Sequence, residues 1–216
     1  MSKTGSGFLG KLRRTAQPAA EQPRKARKTI TIVSGLPRSG TSMMMKMLEA
    51  AGIPPLTDEI READADNPKG YYEFERVKKL NQGDTEWLEE AQGKSVKVIA
   101  ALLRHLPPTF DYKVIFMRRS LDETLKSQKQ MLIRRGEPTD KVSDEEMATL
   151  FRKHLQQIES WMARQPNVEV LNVDYNAVMR DPRTQAQQVN QFLGGSLDVE
   201  RMAGVVDAAL YRQRRS

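Results

Sequence analysis

A β-branched run that stops at a glycine-bearing loop and resumes as an amphipathic helix constrains this chain more than any other feature. Thr29-Ile30-Thr31-Ile32-Val33 has the make-up of a buried strand. The loop Ser34-Gly35-Leu36-Pro37-Arg38-Ser39-Gly40-Thr41-Ser42 follows. Beyond it Met44, Met47, Leu48 and Ala51 recur at helical spacing, and Gly52 and Pro54 close the helix. Strand, G-x-x-x-x-G loop and helix together form the phosphate-binding arrangement. Its glycines let backbone N–H groups converge on an anion, and the helix N-terminus adds partial positive charge. Ser42 takes the Ser/Thr position of that motif, whereas Thr41 stands where its lysine belongs. Arg38, inside the loop, can supply the missing full charge as a bidentate phosphate partner. Read without chemistry, the same residues are a tight turn and a helix cap.

The rest of the chain alternates strands with helices. Residues 53–72 read as a polar loop, followed by a helix over roughly Glu75–Glu90 and a short strand at Val96–Ile99. Lys113–Met117 reads as a second buried strand. Ser120 with Glu123, and again Ser143 with Glu146, carry the capping-box spacing that opens helices to about Arg135 and Gln165. The apolar face of the latter is Met147, Leu150, Phe151, Leu155, Ile158 and Met162. A strand at Val168–Val173, a helix opened by Asp181-Pro182 and a last helix over about Val199–Tyr211 complete the pattern. This order predicts an α/β fold: a P-loop-type three-layer sandwich with a central parallel sheet.

Charge and composition narrow the function. The chain has 216 residues and a formal net charge of +7. Residues 1–28 hold eight bases against one acid, which leaves 27 bases and 27 acids in the remainder. The basicity therefore belongs to a low-hydrophobicity tail, read here as a disordered segment preceding a single domain over 29–216. A globally basic surface for nucleic acid is not indicated. Within the tail, Phe8-Leu9-Gly10-Lys11-Leu12 is suited to peripheral contact with an anionic membrane, although a solubilising tail is the plainer reading. No apolar run approaches the ~20 residues of a membrane span. Cysteine is absent, which excludes disulfides, thiolate zinc sites and a cysteine nucleophile and fits a cytoplasmic protein. With two histidines, His105 and His154, a histidine-built metal centre is not expected either.

A second strand-to-helix junction reads Arg118-Arg119-Ser120-Leu121-Asp122-Glu123-Thr124-Leu125-Lys126-Ser127. Arg119 and Ser127 suit a phosphate monoester held by charge and hydroxyl, although taken alone the pair reads more simply as a basic helix entry with a solvated serine. With both junctions in hand, the chain resembles the sulfotransferase family. Leu36-Pro37-Arg38-Ser39-Gly40-Thr41-Ser42 is similar to the family loop that binds the 5′-phosphosulfate of 3′-phosphoadenosine-5′-phosphosulfate. Arg119 and Ser127 match the family's arginine–serine spacing for the 3′-phosphate. Val173-Asp174-Tyr175, Arg180-Asp181-Pro182 and Phe192-Leu193-Gly194 are similar to segments of bacterial members, so the likeness spans most of 29–212. The chain departs from the family in its short ordered region, which implies a reduced acceptor part, and in having no clear match to the Gly-rich basic loop that closes over the nucleotide. Tyr211 to Arg215 is the nearest substitute, although a solvated basic terminus is the plainer reading.

The resemblance implies sulfuryl transfer to a hydroxyl, with Gly35, Pro37, Arg38, Ser39, Gly40, Thr41, Ser42, Arg119 and Ser127 on the nucleotide and no metal. It also implies a general base. Glu73, in Asn67-Pro68-Lys69-Gly70-Tyr71-Tyr72-Glu73-Phe74, matches a segment of bacterial relatives, and burial among its aromatic neighbours would raise its pKa. A surface glutamate near a helix start is the bland alternative. His105 competes for the role, while His154 reads as structural. Lys97 suits neutralisation of the leaving phosphate, or else an exposed strand edge. Two further readings stand beside this one. A P-loop kinase or NTPase that lost its lysine would need a magnesium-holding acid, for which Asp174 is available. A non-catalytic nucleotide-binding scaffold would keep the loop without turnover.

Overall fold

The computed structural model describes residues 28–58, 72–139 and 142–206. Four strands, β1 (Thr29–Gly35), β2 (Ser95–Lys97), β3 (Asp111–Arg118) and β4 (Val168–Asp174), make one sheet in the order β2-β1-β3-β4, with every pairing parallel. Six α-helices are described: α1 (Thr41–Ala50), α2 (Leu121–Arg134), α3 (Asp144–Met162), α4 (Tyr175–Arg180), α5 (Pro182–Leu193) and α6 (Val199–Gly204). Strand alternation divides the core between the two faces of the sheet. Ile30, Ile32, Tyr112, Val114 and Phe116 pack on one side with Trp87, Leu103, Ile158 and Met162. Val33, Ile115, Met117 and Val173 face the other side, against Met44, Met47 and Leu48 of α1 with Val178, Val189 and Met202. This is the three-layer α/β arrangement with a central parallel sheet. None of the helices among the described residues is long and apolar enough to cross a membrane.

The chain runs from β1 to its neighbour β2, then crosses to β3 on the other side of β1. The loops leaving β1 and β3 therefore diverge between adjacent strand ends, where open α/β sheets form their ligand crevice. The pairing of Gly35 with Met117 and of Arg118 with Asp174 sets three strand ends at nearly one level.

Three local expectations change. The helix expected over Glu75–Glu90 is instead two 3₁₀ segments, Glu75–Gln82 and Glu86–Glu89. The chain turns between them at Gly83–Asp84, where the Asp84 amide donates to the Lys79 carbonyl at 3.2 Å. Arg76 bonds the Asp84 carboxylate, and the Trp87 indole donates to the Asp84 carbonyl at 3.0 Å, so Val77, Leu80, Trp87 and Leu88 reach the core from separate short turns. Strand β2 stops at Lys97, because Ala100 already begins another 3₁₀ segment, Ala100–His105, and Ile99 is left exposed. On α3 the face turned inward is Ala148, Ile158 and Met162, with Leu155 half-buried against the core, whereas Leu150 is 55% exposed. The final helix, expected to run to about Tyr211, instead ends at Gly204 with Val205 as its C-cap; residues 207–216, which include the Tyr211–Arg215 segment, and residues 1–27 of the tail lie outside the described residues. Lys28, counted with that tail, is tied into the domain: its ammonium meets Glu89 at 2.8 Å and its carbonyl accepts from the Asp111 amide.

The two capping boxes part company. Ser143 Oγ accepts from the Glu146 amide, and the Glu146 carboxylate accepts from the Ser143 amide, so that box is complete. Ser120 occupies the N-cap position of α2 but makes no side-chain cap bond, and the reciprocal bond is lost too because the Glu123 carboxylate is turned inward to Arg119. Ser143→Ala should therefore lower unfolding stability by about 1 kcal/mol, whereas Ser120→Ala should change it by less than about 0.5 kcal/mol, both read from urea denaturation midpoints.

Candidate nucleotide-binding site

The loop from β1 to α1 adopts conformations that only its own residue types accept easily. Gly35, at φ 150°, lies so close to its surroundings that an added Cβ would sit 2.5 Å from Ser39 Oγ and 2.7 Å from the Met117 carbonyl. Gly40, at φ 97°, is the N-cap of α1 and rests against the ring of Tyr175, into which a Cβ would run. Between them Arg38 holds φ 67°, the left-handed region that a side chain enters at a cost of about 1–2 kcal/mol. The Ser39 amide closes the turn onto the Leu36 carbonyl at 3.2 Å. Ser39 is 2% exposed, and its hydroxyl has no hydrogen-bond partner among the described residues. A buried hydroxyl without a protein partner, set in a glycine loop at the head of a helix whose first turn carries no acid, fits an anion. Pro37 is exposed on the outside of the turn, and Thr41 and Ser42 form the half-buried first residues of α1.

The second junction packs against the first through contacts that the Arg119–Ser127 spacing did not foretell. Arg38 Nε donates to Ser127 Oγ at 3.0 Å. Arg119 Nη1 donates to the Arg38 carbonyl at 3.0 Å, so both ends of Arg38 are held from the α2 side. Arg119 Nε donates to Glu123 Oε2 at 3.0 Å, and the guanidinium lies over the Tyr175 ring at 4.3 Å from its centroid. Asn176 Nδ2 donates to the remaining Glu123 oxygen at 3.1 Å. The buried residues of α2 are Glu123, Thr124 and Ser127, all polar, as suits a helix that backs a binding site. Its neighbour Arg118 points the other way, to Asn172 at 2.9 Å and to Glu159.

A third group gathers at the end of β2. Lys97 pairs in register with Val33, and its ammonium lies 3.7 Å from Glu73 Oε1; the two side chains are 12% and 23% exposed. Thr57 Oγ1 donates to the Glu73 carbonyl at 2.8 Å and anchors the main chain there. Tyr72, left-handed at φ 51°, donates its phenol to Glu49 at 2.6 Å; burial first and Glu49 second push that phenol above its ordinary pKa. Lys97 is thus neither solvated nor a plain edge residue. Tyr71 and the preceding Asn67–Gly70 lie outside the described residues.

The other candidates do not join these groups. The half-buried His105 ring closes the 3₁₀ segment after β2, and it makes no hydrogen bond or ion pair with the described residues. His154 lies part-buried on α3, where burial and the charge of Arg104 lower its pKa, as expected of a packed imidazole. The carboxylate of Asp174 accepts from the Ala177 amide at 2.7 Å as the N-cap of α4. No cluster of three or more metal-ligating side chains occurs among the described residues. Sequence reasoning missed Tyr175 and Asn176 as parts of this cluster, and it read Glu123 as a helix cap. The one signal pointing to Glu123 was its place four residues after Arg119, at the spacing of an i,i+4 ion pair.

The sulfotransferase domain family model matches residues 28–216. Among solved structures, the chain is similar to the sulfotransferase domain of the Synechococcus PCC 7002 olefin synthase, with 16% identity, a TM-score of 0.53, and 88% of this chain and 82% of that one covered. It is also similar to sulfotransferase STF1 from Mycobacterium tuberculosis H37Rv, with 17% identity, a TM-score of 0.55, and 83% and 71% covered. Sulfotransferase STF9 from Mycobacterium avium gives 15% identity, a TM-score of 0.51, and 88% and 70% covered. Likeness at these identities speaks to the fold. No curated protein sequence matches the chain.

The packing of Gly40 against Tyr175 makes that glycine a sensitive probe. Gly40→Ala should cost at least about 1–2 kcal/mol of stability from the left-handed backbone alone, with a further penalty for displacing the ring. Thermal unfolding should show this as a lowered midpoint, and anion binding at the loop should weaken in parallel.

Proposed function

Because the chain belongs to the sulfotransferase family and is a transferase, we propose that it moves a sulfuryl group from 3′-phosphoadenosine-5′-phosphosulfate to a hydroxyl acceptor. The observation that carries this reading is the joining of the two phosphate-type junctions through Arg38, whose side chain meets Ser127 and whose carbonyl meets Arg119. An isolated phosphate loop would serve many nucleotides; a loop braced against a second cationic helix entry fits one carrying anionic groups at two positions. Residues 35–42 would hold the 5′-phosphosulfate through backbone N–H groups, the Ser39 hydroxyl and Arg38. Arg119 and Ser127 would hold the 3′-phosphate. The bound donor supplies a sulfuryl group on a phosphate leaving group, so that the acceptor oxygen–sulfur bond forms as the sulfur–phosphate oxygen bond breaks.

The chain's own task is then positioning, charge and proton transfer. Arg38 places positive charge beside the loop. Glu73 is the base that takes the acceptor's hydroxyl proton, with its carboxylate oriented by Lys97 and its backbone by Thr57. Lys97 also brings a second cation to the ends of the central strands. Asp174, as the cap of α4, is engaged elsewhere than the magnesium role that a degenerate NTPase would ask of it. A cytoplasmic setting suits a chain without cysteine, and the acceptor is a hydroxyl compound reaching the Glu73 side of the sheet.

Titration calorimetry with adenosine 3′,5′-bisphosphate, without magnesium, tests the donor site. Affinity should fall at least about tenfold in Arg38→Ala and in Ser127→Ala. Glu73→Gln should bind within about twofold of the unsubstituted protein, yet lose on the order of 10²-fold or more in transfer of labelled sulfuryl to a panel of hydroxyl compounds. No binding, or binding of ATP only with magnesium, would refute the assignment. Binding with indifference to Glu73→Gln would favour a non-catalytic nucleotide-binding protein.

A further inference from the structure

We propose that Glu123 is a positioning residue of the nucleotide site: it locks Arg119, and through Arg119 it holds Arg38 and the phosphate loop in their anion-binding conformation. The proposal rests on the donor-site reading above for its functional consequence, though not for its structural one. Glu123 is 1% exposed and Arg119 7%, so the pair is shielded from water, where a charge-assisted bond is strong and its loss severe. Both carboxylate oxygens accept bonds of fixed direction, from Arg119 Nε at 3.0 Å and from Asn176 Nδ2 at 3.1 Å. The guanidinium is thereby set in one plane, flat against Tyr175.

From that plane the cluster touches the loop at two points. Arg119 Nη1 reaches the Arg38 carbonyl, at a residue whose left-handed backbone is unfavourable unless something outside it holds it there. Tyr175, covered by Arg119 on one side, bears on Gly40 at the loop's other end. One buried carboxylate thus ties together the β1–α1 loop, the start of α2 and the start of α4. Glu123 would touch neither nucleotide nor acceptor. Removing its charge loosens the arginine and weakens its hold on the carbonyl of the residue that should face the sulfuryl group.

The test uses the full chain. Without ligand, Glu123→Gln should speed backbone hydrogen exchange over residues 36–42 roughly tenfold or more, with β1 and β3 unchanged. Asn176→Ala, which removes another partner of Glu123, should do so to a smaller extent. With adenosine 3′,5′-bisphosphate, Glu123→Gln should weaken binding roughly 10- to 100-fold, and this effect should vanish in an Arg119→Ala background. Unchanged exchange in the loop overturns the proposal. So does an affinity loss of equal size with and without Arg119, since Glu123 would then act by another route. Should Glu123→Gln fail to fold, Asn176→Ala decides by the same loop exchange. If the unsubstituted protein binds no bisphosphate while Glu123→Gln loosens the loop, the nucleotide reading fails and the brace stands.

Discussion

The pairing of β1 with β3 underlies the rest of this structure. Register runs without interruption from Thr29 opposite Asp111 to Gly35 opposite Met117, so the two strands end together and release their chains into the same space. A slip of one residue would turn Ile32 and Val114 to the wrong face and would also set the glycine loop and the Arg119 junction out of level. The same register brings the Met117 carbonyl against Gly35, which is why no larger residue fits there. Core packing and site geometry thus share one constraint. Hydrophobic burial on both faces fixes the strands, and the strands fix the distance between two sets of anion donors.

Polar packing takes over beyond the strand ends. Helix α2 buries Glu123, Thr124 and Ser127, whereas α1, on the other side of the loop, buries Met44, Met45, Met47 and Leu48. A helix that turns polar residues inward gains less from burial and must satisfy each group by a partner. Thr124 and Asn176 each keep a buried oxygen without a hydrogen bond among the described residues, as does Ser39 in the loop. Unsatisfied polar atoms of this kind mark places where stability yields to binding. The Arg119–Glu123 pair belongs to the same trade. Desolvating two charges contributes little net stability, but it imposes a single arrangement on the groups around them.

The far side of the crevice is organised differently. Glu73 and Lys97 are partly exposed and come from separate segments, an irregular stretch before the first 3₁₀ turn and the short edge strand β2. Anchoring of the Glu73 backbone by Thr57, and of Tyr72 by Glu49, ties this stretch to residues around α1. The proposed nucleotide-side groups thus sit on the most regular part of the fold, and the proposed proton acceptor sits at its margin, where an acceptor molecule could approach. Such a division lets the margin vary without disturbing the register of the central strands.

Much of the architecture was legible in the chain itself. The β-branched run at Thr29–Val33, the apolar run within Lys113–Met117, the loop between Ser34 and Ser42, the Ser143–Glu146 box and Asp181-Pro182 each carry their structure locally, through side-chain sterics, glycine geometry and hydrogen bonds three residues away. The same local logic failed at Glu75–Glu90, where the need to bury Trp87 and Leu88 from a separate turn outweighed helix propensity, and at Leu150, which helical spacing put in the core and packing left outside. It failed also at Glu123, which satisfies the capping-box spacing as well as the Ser143 box does. There the choice lay between a backbone amide at half-buried Ser120, three residues back, and a buried guanidinium four residues back, and the buried charge has no water to turn to. Spacing along the chain therefore identified Arg38, Arg119 and Ser127 as candidates. Only the packing of three strand ends decided that Arg38 meets Ser127 while Arg119 turns to Glu123 and Tyr175, because those partners lie on segments that sequence separation keeps apart and the sheet brings together.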